Sequence, residues 1–247
     1  MFDLSGRVAL VTGAGQSIGA GMAATIAEAG AAVMVNDLHG DRAEESAAAI
    51  NTAGGTAIAA PFDVTDIADV QRGIAAAGAT LGPVDILVNN AGIVANGGAV
   101  FFRDSEPEYW RRWVELNLFG VMNCAKAVID GMCEREFGRV VTISSGAGTI
   151  GLNIGMSAYA AGKGGAISFM RHLALETAKF GVTANTLALG MMENTAGREM
   201  PAAVRRPNPV GRLGTGRDVG AAVVWLAAEG SWITGQTIGV NGGGTTT

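Results

Sequence analysis

The sequence predicts an α/β domain: a doubly wound parallel sheet of seven strands with helices on both faces. Three observations predict it. Short apolar runs alternate with Ala-rich helical stretches along the whole chain, the order that repeated βαβ units produce. The short runs are continuously apolar and do not alternate with polar residues, as expected of strands buried on both faces. The first run opens directly into a glycine-rich turn, Thr12-Gly13-Ala14-Gly15-Gln16-Ser17-Ile18-Gly19, followed by a helical stretch, which is the Rossmann-type arrangement.

Taken in order, Val8 to Thr12 reads as the first strand and Ile18 to Ala29 as the first helix. Ala32 to Asn36 is the second strand, Asp41 to Ala53 the second helix and Thr56 to Pro61 the third strand. A helix from Asp66 to Leu81 opens on Thr65 or Asp66, either of which can cap it. Val84 to Asn89 is the fourth strand. A long helical region spans Glu106 to Glu136, with Pro107 in its first turn, where a missing N–H is tolerated. Arg139 to Ile143 is the fifth strand, and Ser157 to Phe180 a helix ended by Gly181. Val182 to Leu187 is the sixth strand, Arg217 to Ala228 the last helix and Gln236 to Val240 the seventh strand. No linker divides residues 1–247, which read as one domain.

Composition excludes several classes. Hydrophobic residues make up 49% and charged residues 16%, ample for a core and unlike a disordered chain. Thirty-eight glycines, spread without repeats, fit many tight turns. A net charge of -5 with no Lys/Arg block argues against nucleic acid or an anionic membrane as partner. No apolar run approaches the roughly 18 residues of a membrane span, and the N-terminus lacks a signal-peptide pattern. A cytoplasmic location is expected. Cys124 and Cys133 fall on opposite faces of one helix and are expected as free thiols. His39 and His172 lack metal-ligand spacing, so no metal site is expected.

The chemistry is expected between Ser144 and Lys163, SSGAGTIGLNIGMSAYAAGK. With a helix starting near Ser157, Tyr159 and Lys163 lie four apart on one face. A phenol, with a pKa of about 10, is a poor acid or base at neutral pH. An ammonium beside it favours the phenolate. Reaching about 7 takes roughly 4 kcal/mol of differential interaction, within the reach of one close charge in a partly dry site. Ser144 and Ser145 offer hydroxyls that can orient a carbonyl oxygen. At the glycine-rich turn, backbone N–H groups can approach a pyrophosphate at a helix N-terminus. Asp37 ends the second strand, 24 residues after Gly13. A carboxylate there can accept both ribose hydroxyls and would repel a 2′-phosphate. The turn contains Gln16 and no Arg or Lys, and Arg42 is the nearest cation. These residues predict NAD(H) in preference to NADP(H).

The motifs in order are Thr12-Gly13-x5-Gly19, Asp63-Val64, Asn89-Asn90-Ala91-Gly92, Asn117, Ser145 and Tyr159-x3-Lys163. Ile233-Thr234-Gly235-Gln236 and Val240-Asn241-Gly242-Gly243 follow. On these the chain resembles the short-chain dehydrogenase/reductase family nearly from end to end. The resemblance implies that Tyr159 is a general acid/base and that Lys163 lowers its pKa and binds the nicotinamide ribose. It implies that Ser145 holds the substrate oxygen and that Asn117 holds a water linking Lys163 to solvent. Gly13, Gln16, Ser17, Ile18 and Gly19 would form the phosphate turn, and Asp63 and Val64 would contact adenine. Asn90, Ala91 and Gly92 would line the cofactor groove, with Met192 at its nicotinamide end. Aligning Gly148 selects Ser145 over Ser144 and leaves one extra residue in the loop before Tyr159.

Three residues also depart from the family pattern. Ser17 stands where Gly is usual and is expected to weaken or shift cofactor binding. Leu189-Gly190 replaces the usual Pro-Gly. Asn194 replaces a Thr that meets the nicotinamide amide, unless Thr195 takes that place.

The expected substrate wall is Ile93, Val94, Leu152, Ile154, Met156 and Met191, apolar and without an Arg to bind a carboxylate. The segment Glu193 to Pro209 is long for a connection in a compact domain. The resemblance implies a substrate lid at about 190–210; Arg198, Arg205 and Arg206 read as its solvated charges, the alternative being that they reach an anionic group such as a CoA phosphate. The expected activity is NAD-dependent interconversion of a hydrophobic or cyclic secondary alcohol and its ketone. The alternative is an NADPH-dependent 3-oxoacyl reductase acting on carrier-protein or CoA thioesters. Asp37 opposes it, as do Glu136 and Phe180 at the positions that family alignment assigns to carrier-docking cations. A non-catalytic NAD-binding sensor is the third reading. Phe119, Met122, Phe169, Met170 and Leu173 are candidates for a second buried face, and the resemblance implies a homotetramer, with a dimer as second choice.

Overall fold

A computed structural model of the chain describes residues 2–93, 97–193, 208–228 and 232–246. Seven strands form one sheet in the order β3-β2-β1-β4-β5-β6-β7, every pair parallel. They are β1 (Val8–Val11), β2 (Ala32–Val35), β3 (Thr56–Ala59), β4 (Ile86–Asn89), β5 (Gly138–Ser145), β6 (Val182–Leu189) and β7 (Thr237–Val240). The chain winds outward from β1 to β3, then returns to β4 beside β1 and winds the other way. The winding reverses between β1 and β4, the point at whose carboxyl ends a doubly wound sheet places its binding site.

The side chains of β1 explain why the sheet is covered on both sides. Ala9 and Val11 enter one core with Met22 and Ile26 of α1 (Ser17–Glu28), Ile50 of α2 (Gly40–Thr52) and Val223 of α7 (Gly216–Ala227). Val8 and Leu10 enter the opposite core with Val70 of α3 (Ile67–Leu81), Met132 of α5 (Gly120–Glu134) and Met170 of α6 (Ser157–Thr177). Each fully buried Val, Leu or Met contributes roughly 1.5–3 kcal/mol, so both cores require continuously apolar strands. On the first face, α1 and α7 approach through glycine. A Cβ on Gly216 would lie 2.7 Å from the Ile18 carbonyl oxygen.

Local signals set the element ends. Asp66 is the cap of α3, accepting from the N–H groups of Ala68 and Asp69 at 2.8 and 3.2 Å. Thr215 and Asp218 form a reciprocal capping box on α7, and Arg212 holds Asp218 through two 2.6 Å contacts. Gly181 closes the turn after α6 with φ 72. β5 runs two residues past the expected Ile143, so Ser144 and Ser145 pair with Ala188 and Leu189 of β6.

The long helical region is not one uniform helix. α4 (Pro107–Val114) passes through a π-helical turn, Glu115–Phe119, into α5. The Asn117 side chain supplies a reason. Its Nδ2 donates to the Trp113 carbonyl at 3.0 Å, the acceptor that a regular helix reserves for the N–H of residue 117. Such turns recur at functional sites.

Two expectations for a partner-facing surface are corrected. Met170 and Leu173 are buried in the core beneath α6, and Phe169 packs against it, because this side of α6 faces the sheet. Phe119 and Met122 are exposed, as is Leu175, which the apolar pattern did not single out. Cys124 is buried, Cys133 partly so, and both are free thiols. No helix among the described residues is long and apolar enough to cross a membrane. Nor does any group of three or more His, Cys, Asp or Glu among them stand ready for a metal ion.

Candidate active site

The loop after β1 is held from two sides. Thr12 Oγ1 accepts from the N–H groups of Asn90 and Ala91 at 2.9 and 3.1 Å, while Asn90 Nδ2 donates to the Thr12 and Gly13 carbonyls at 2.9 and 3.0 Å. Asn36 Oδ1 accepts from Gly13 N–H at 3.4 Å, and its Nδ2 donates to the carbonyls of Ala60 and Phe62. Gly13 has φ 61, and a Cβ there would meet the Ala91 Cα at 2.9 Å. A side chain at Gly19 would collide with the Gly13 carbonyl oxygen. Both glycines are therefore required by close backbone approach. Ile18, beside them, is buried in the core.

The opening of α1 fits a pyrophosphate. Gln16 precedes the helix in extended conformation without a side-chain cap, and no acid occupies the first turn. The first N–H groups of the helix thus keep their donors for an anion, with the helix dipole favouring negative charge. Ser17 is exposed and has φ 53, a left-handed backbone that glycine adopts without strain. The usual glycine at this position has a conformational reason. Asp37 lies beside the turn, its Oδ2 accepting from Gly15 N–H at 3.2 Å and its Oδ1 from His39 N–H at 3.0 Å. Each carboxylate oxygen offers two lone pairs, so acceptor capacity remains for ribose hydroxyls.

Ser145, Tyr159, Lys163 and Asn117 converge past the end of β5. Ser145 is the last residue of that strand, its Oγ accepts from Ala147 N–H at 3.2 Å, and its hydroxyl acts on the Tyr159 phenol, lowering its pKa. Ser144 is buried and donates to the Lys163 carbonyl at 3.3 Å, a structural bond, so the two serines have separate positions. Lys163 is 4% exposed, and its Nζ donates to the Ile143 carbonyl at 2.7 Å. Asn117 is fully buried, and its Oδ1 has no hydrogen-bond partner among the described residues. A Cβ on Gly92 would stand 2.7 Å from Lys163 Nζ and 2.8 Å from Asn117 Oδ1, so both atoms border one small space.

The electrostatics differ from the sequence expectation. Burial pushes the Tyr159 phenol above its ordinary value, and the Ser145 hydroxyl pulls it partly back. Burial brings Lys163 itself down to about 8. Its Nζ lies 5.8 Å from the centre of the Tyr159 ring. Among these protein groups desolvation outweighs the attraction of the ammonium, which is shared with the Ile143 carbonyl.

Other candidates are placed less directly. The Asp63 carboxylate accepts from the Thr65 N–H and hydroxyl, both at 2.8 Å, and the Val64 side chain is buried against Gly120. Met192 is buried beside Gly214. Its backbone bridges Gly214, and its thioether fills the space left by that glycine's missing side chain. Ile93 is exposed and Met191 partly buried. Leu152, Ile154 and Met156 line a cavity of about 440 Å³ with Phe101 and Phe102, but neither Ser145 nor Tyr159 contributes to its wall. A larger cleft, about 830 Å³, runs between α1 and α2 from Gln16 to Gly55, also apart from Tyr159. Val94, Asn194, Thr195, Arg198, Arg205, Arg206 and most of the expected lid lie outside the described residues. Sequence reasoning missed the structural roles of Thr12 and Asn36. It also missed Trp113, whose ring meets Tyr159 edge-on. The polar ends of two apolar strands signalled the first two, but no local pattern marks the third.

A doubly wound sheet with an uncapped glycine-rich turn at one end of the crevice and a Ser-Tyr-Lys-Asn cluster at the other defines a nicotinamide-dependent oxidoreductase. A family profile described as short chain dehydrogenase matches residues 7–204. The chain belongs to that family and is an NAD(P)-dependent enzyme of it. It is 37% identical to the 3-oxoacyl-(acyl-carrier-protein) reductase FabG of Vibrio harveyi, over 98% of each chain. Two solved structures are also similar. A gluconate 5-dehydrogenase of Burkholderia cenocepacia J2315, in complex with NADP and tartrate, matches with TM-score 0.91 and 34% identity, covering 100% of this chain and 98% of its own. A 7α-hydroxysteroid dehydrogenase with NADH and 7-oxo glycochenodeoxycholic acid matches with TM-score 0.90 and 33% identity, covering 99% and 96%.

Proposed function

We propose that the chain interconverts a 3-oxoacyl thioester and the corresponding 3-hydroxy compound, with NAD(H) as its preferred cofactor. The likeness to a 3-oxoacyl reductase supports the substrate class. The single observation carrying the reaction is the placing of buried Lys163 beside Tyr159 on one helix, its Nζ 5.8 Å from the phenol ring centre. Asp37 supports NAD(H), since its carboxylate beside Gly15 repels a 2′-phosphate.

The nicotinamide, when bound, supplies or accepts the hydride. Tyr159 gives a proton to the substrate oxygen in reduction and removes it in oxidation. Ser145 holds the same oxygen. Lys163 holds positive charge near the phenol, and its pKa near 8 lets it exchange protons close to neutrality. The unpartnered Asn117 Oδ1 beside Lys163 can accept from a water that carries the proton outward. The uncapped turn at Gln16 to Gly19 would hold the pyrophosphate and Asp37 the adenosine ribose.

A second reading, oxidoreduction of a hydrophobic or cyclic secondary alcohol, is favoured by the apolar Leu152, Ile154 and Met156 and by the likeness to a hydroxysteroid dehydrogenase. We also infer a cytoplasmic homotetramer, with the exposed Phe119 and Met122 in a contact between copies. The deciding experiment is a panel of 3-oxoacyl thioesters, cyclic ketones and their alcohols, each assayed with NAD(H) and NADP(H). Turnover is expected on the thioesters and fastest with NADH. Turnover confined to the cyclic substrates selects the second reading, and binding without turnover of any pair, or an active Tyr159→Phe variant, refutes the mechanism.

A further inference from the structure

We propose that Trp113 is a positioning residue for Tyr159, setting the place of the phenol ring and keeping water from it. The inference rests on Tyr159 as the general acid/base. Trp113 belongs to α4, is 2% exposed and lies far from Tyr159 in the chain. Its ring meets the Tyr159 ring edge-on, with centroids 5.3 Å apart and planes at 75°. Aromatic quadrupoles favour this arrangement, which resists both sliding and tilting of the phenol. Ala158, also buried, completes the small cluster.

Trp113 is the middle of a longer contact. The Tyr109 ring also meets it edge-on, at 6.2 Å and 70°, and the Tyr109 hydroxyl donates to the Gly98 carbonyl at 2.8 Å. Val100, two residues on, donates its N–H to the Gly155 carbonyl at 2.8 Å, in the loop that precedes Tyr159. The chain has only two tyrosines and four tryptophans, and both tyrosines take part in this one cluster. Two rings, Tyr109 and Trp113, thus connect the segment after β4 with the reacting phenol.

The buried indole nitrogen shows what Trp113 contributes. Trp113 Nε1 has no hydrogen-bond partner among the described residues, so the ring acts through shape and apolar surface. Its backbone carbonyl meanwhile accepts from Asn117 Nδ2, placing one residue behind two members of the cluster. The titratable groups around the phenol are Lys163 on its own helix and Tyr109 behind Trp113 on α4. Ser145 of β5 and Asn117 of the π-helical turn approach as uncharged partners.

The test compares Trp113→Met, which fills part of the space without an aromatic edge, with Trp113→Phe, which keeps one. The readouts are the pH profiles of kcat and kcat/KM, with NADH affinity as control. Trp113→Met is expected to lower kcat roughly 10- to 100-fold and to move the limb assigned to Tyr159 toward lower pH. A better-hydrated phenol ionises more easily, in either reaction direction. Trp113→Phe recovers most of both, and NADH affinity holds throughout. If Trp113→Met fails to bind NADH, Trp113→Leu takes its place. Wild-type kcat and pH limb in the non-aromatic variant overturn the inference. So does a Trp113→Phe enzyme as slow as that variant with its limb at the wild-type pH. An active Tyr159→Phe variant overturns the reading of Tyr159 itself, whereas an inactive one beside an unaffected Trp113→Met variant overturns only the role of Trp113.

Discussion

Gly92 and Lys163 meet across a gap that one methyl group would close: a Cβ on Gly92 would stand 2.7 Å from Lys163 Nζ. The loop after β4 thereby sets the depth at which the ammonium lies. Asn117 Oδ1 is on the same border, so the added methyl would push against both groups at once. Gly92→Ala is expected to lower kcat by about 100-fold, because displacements of 1 Å near reacting atoms cost on that order. The overpacking costs about 1–3 kcal/mol of stability. Steady-state kinetics and chemical denaturation check both numbers, and wild-type kcat would separate Gly92 from the position of Lys163.

Ser17 holds a left-handed backbone at the start of α1, with φ 53. Side chains at such angles cost about 1–2 kcal/mol, less the greater chain entropy of glycine. Ser17→Gly is expected to raise stability by about 1 kcal/mol and to tighten NADH binding by removing a Cβ from the phosphate turn. Denaturation curves and a fluorescence titration measure the two effects. Unchanged or weaker affinity contradicts the crowding, and weaker affinity would show that the serine hydroxyl assists the phosphate.

Asp37 bears on cofactor choice. Its carboxylate touches the N–H groups of Gly15 and His39, and a serine retains a hydroxyl there without the charge. Asp37→Ser is expected to shift the ratio of kcat/KM for NADPH over NADH upward by about tenfold or more, removing a repulsive element rather than adding an attractive one. A ratio that stays constant contradicts the role given to Asp37.

Lys163 predicts a pH dependence of stability. Burial lowers its folded pKa to about 8, against an ordinary 10.5. Below pH 8 the group is charged in both states and the folded state bears the full desolvation cost; above 10.5 it is neutral in both and the cost vanishes. This contribution to stability therefore rises with pH between those values, by on the order of 3 kcal/mol. Lys163→Met should be the more stable protein near neutrality, with the gap closing as pH rises through that window. Denaturation of both proteins without cofactor tests the sign, and a gap independent of pH contradicts it.

Most of the scaffold was legible along the chain. Continuous apolar strands, alanine-rich helices and caps such as Asp66 are local patterns, and their order admits few topologies. Element ends moved by a residue or two where hydrogen bonding with a neighbouring strand decided them, as for Ser144 and Ser145 on β5. Apolar character alone overstated the outward face of α6. Met170 and Leu173 have the composition of an interface and the position of a core.

The candidate site divides along the same boundary. Short spacing within one element settles that Tyr159 and Lys163 share a helix face and that Asp37 ends the strand beside the phosphate turn. Contacts between distant segments require the folded packing. These include Trp113 against Tyr159, Asn117 turned inward by a π-helical turn, Asn36 and Asn90 clamping the glycine turn, and Met192 drawn into the space beside Gly214. The same packing turns the simple expectation for the phenol around, since burial acts on both members of the Tyr159–Lys163 pair and four-residue spacing contains no information about water. Periodicity encodes direction within an element, whereas distance and desolvation arise only when elements meet.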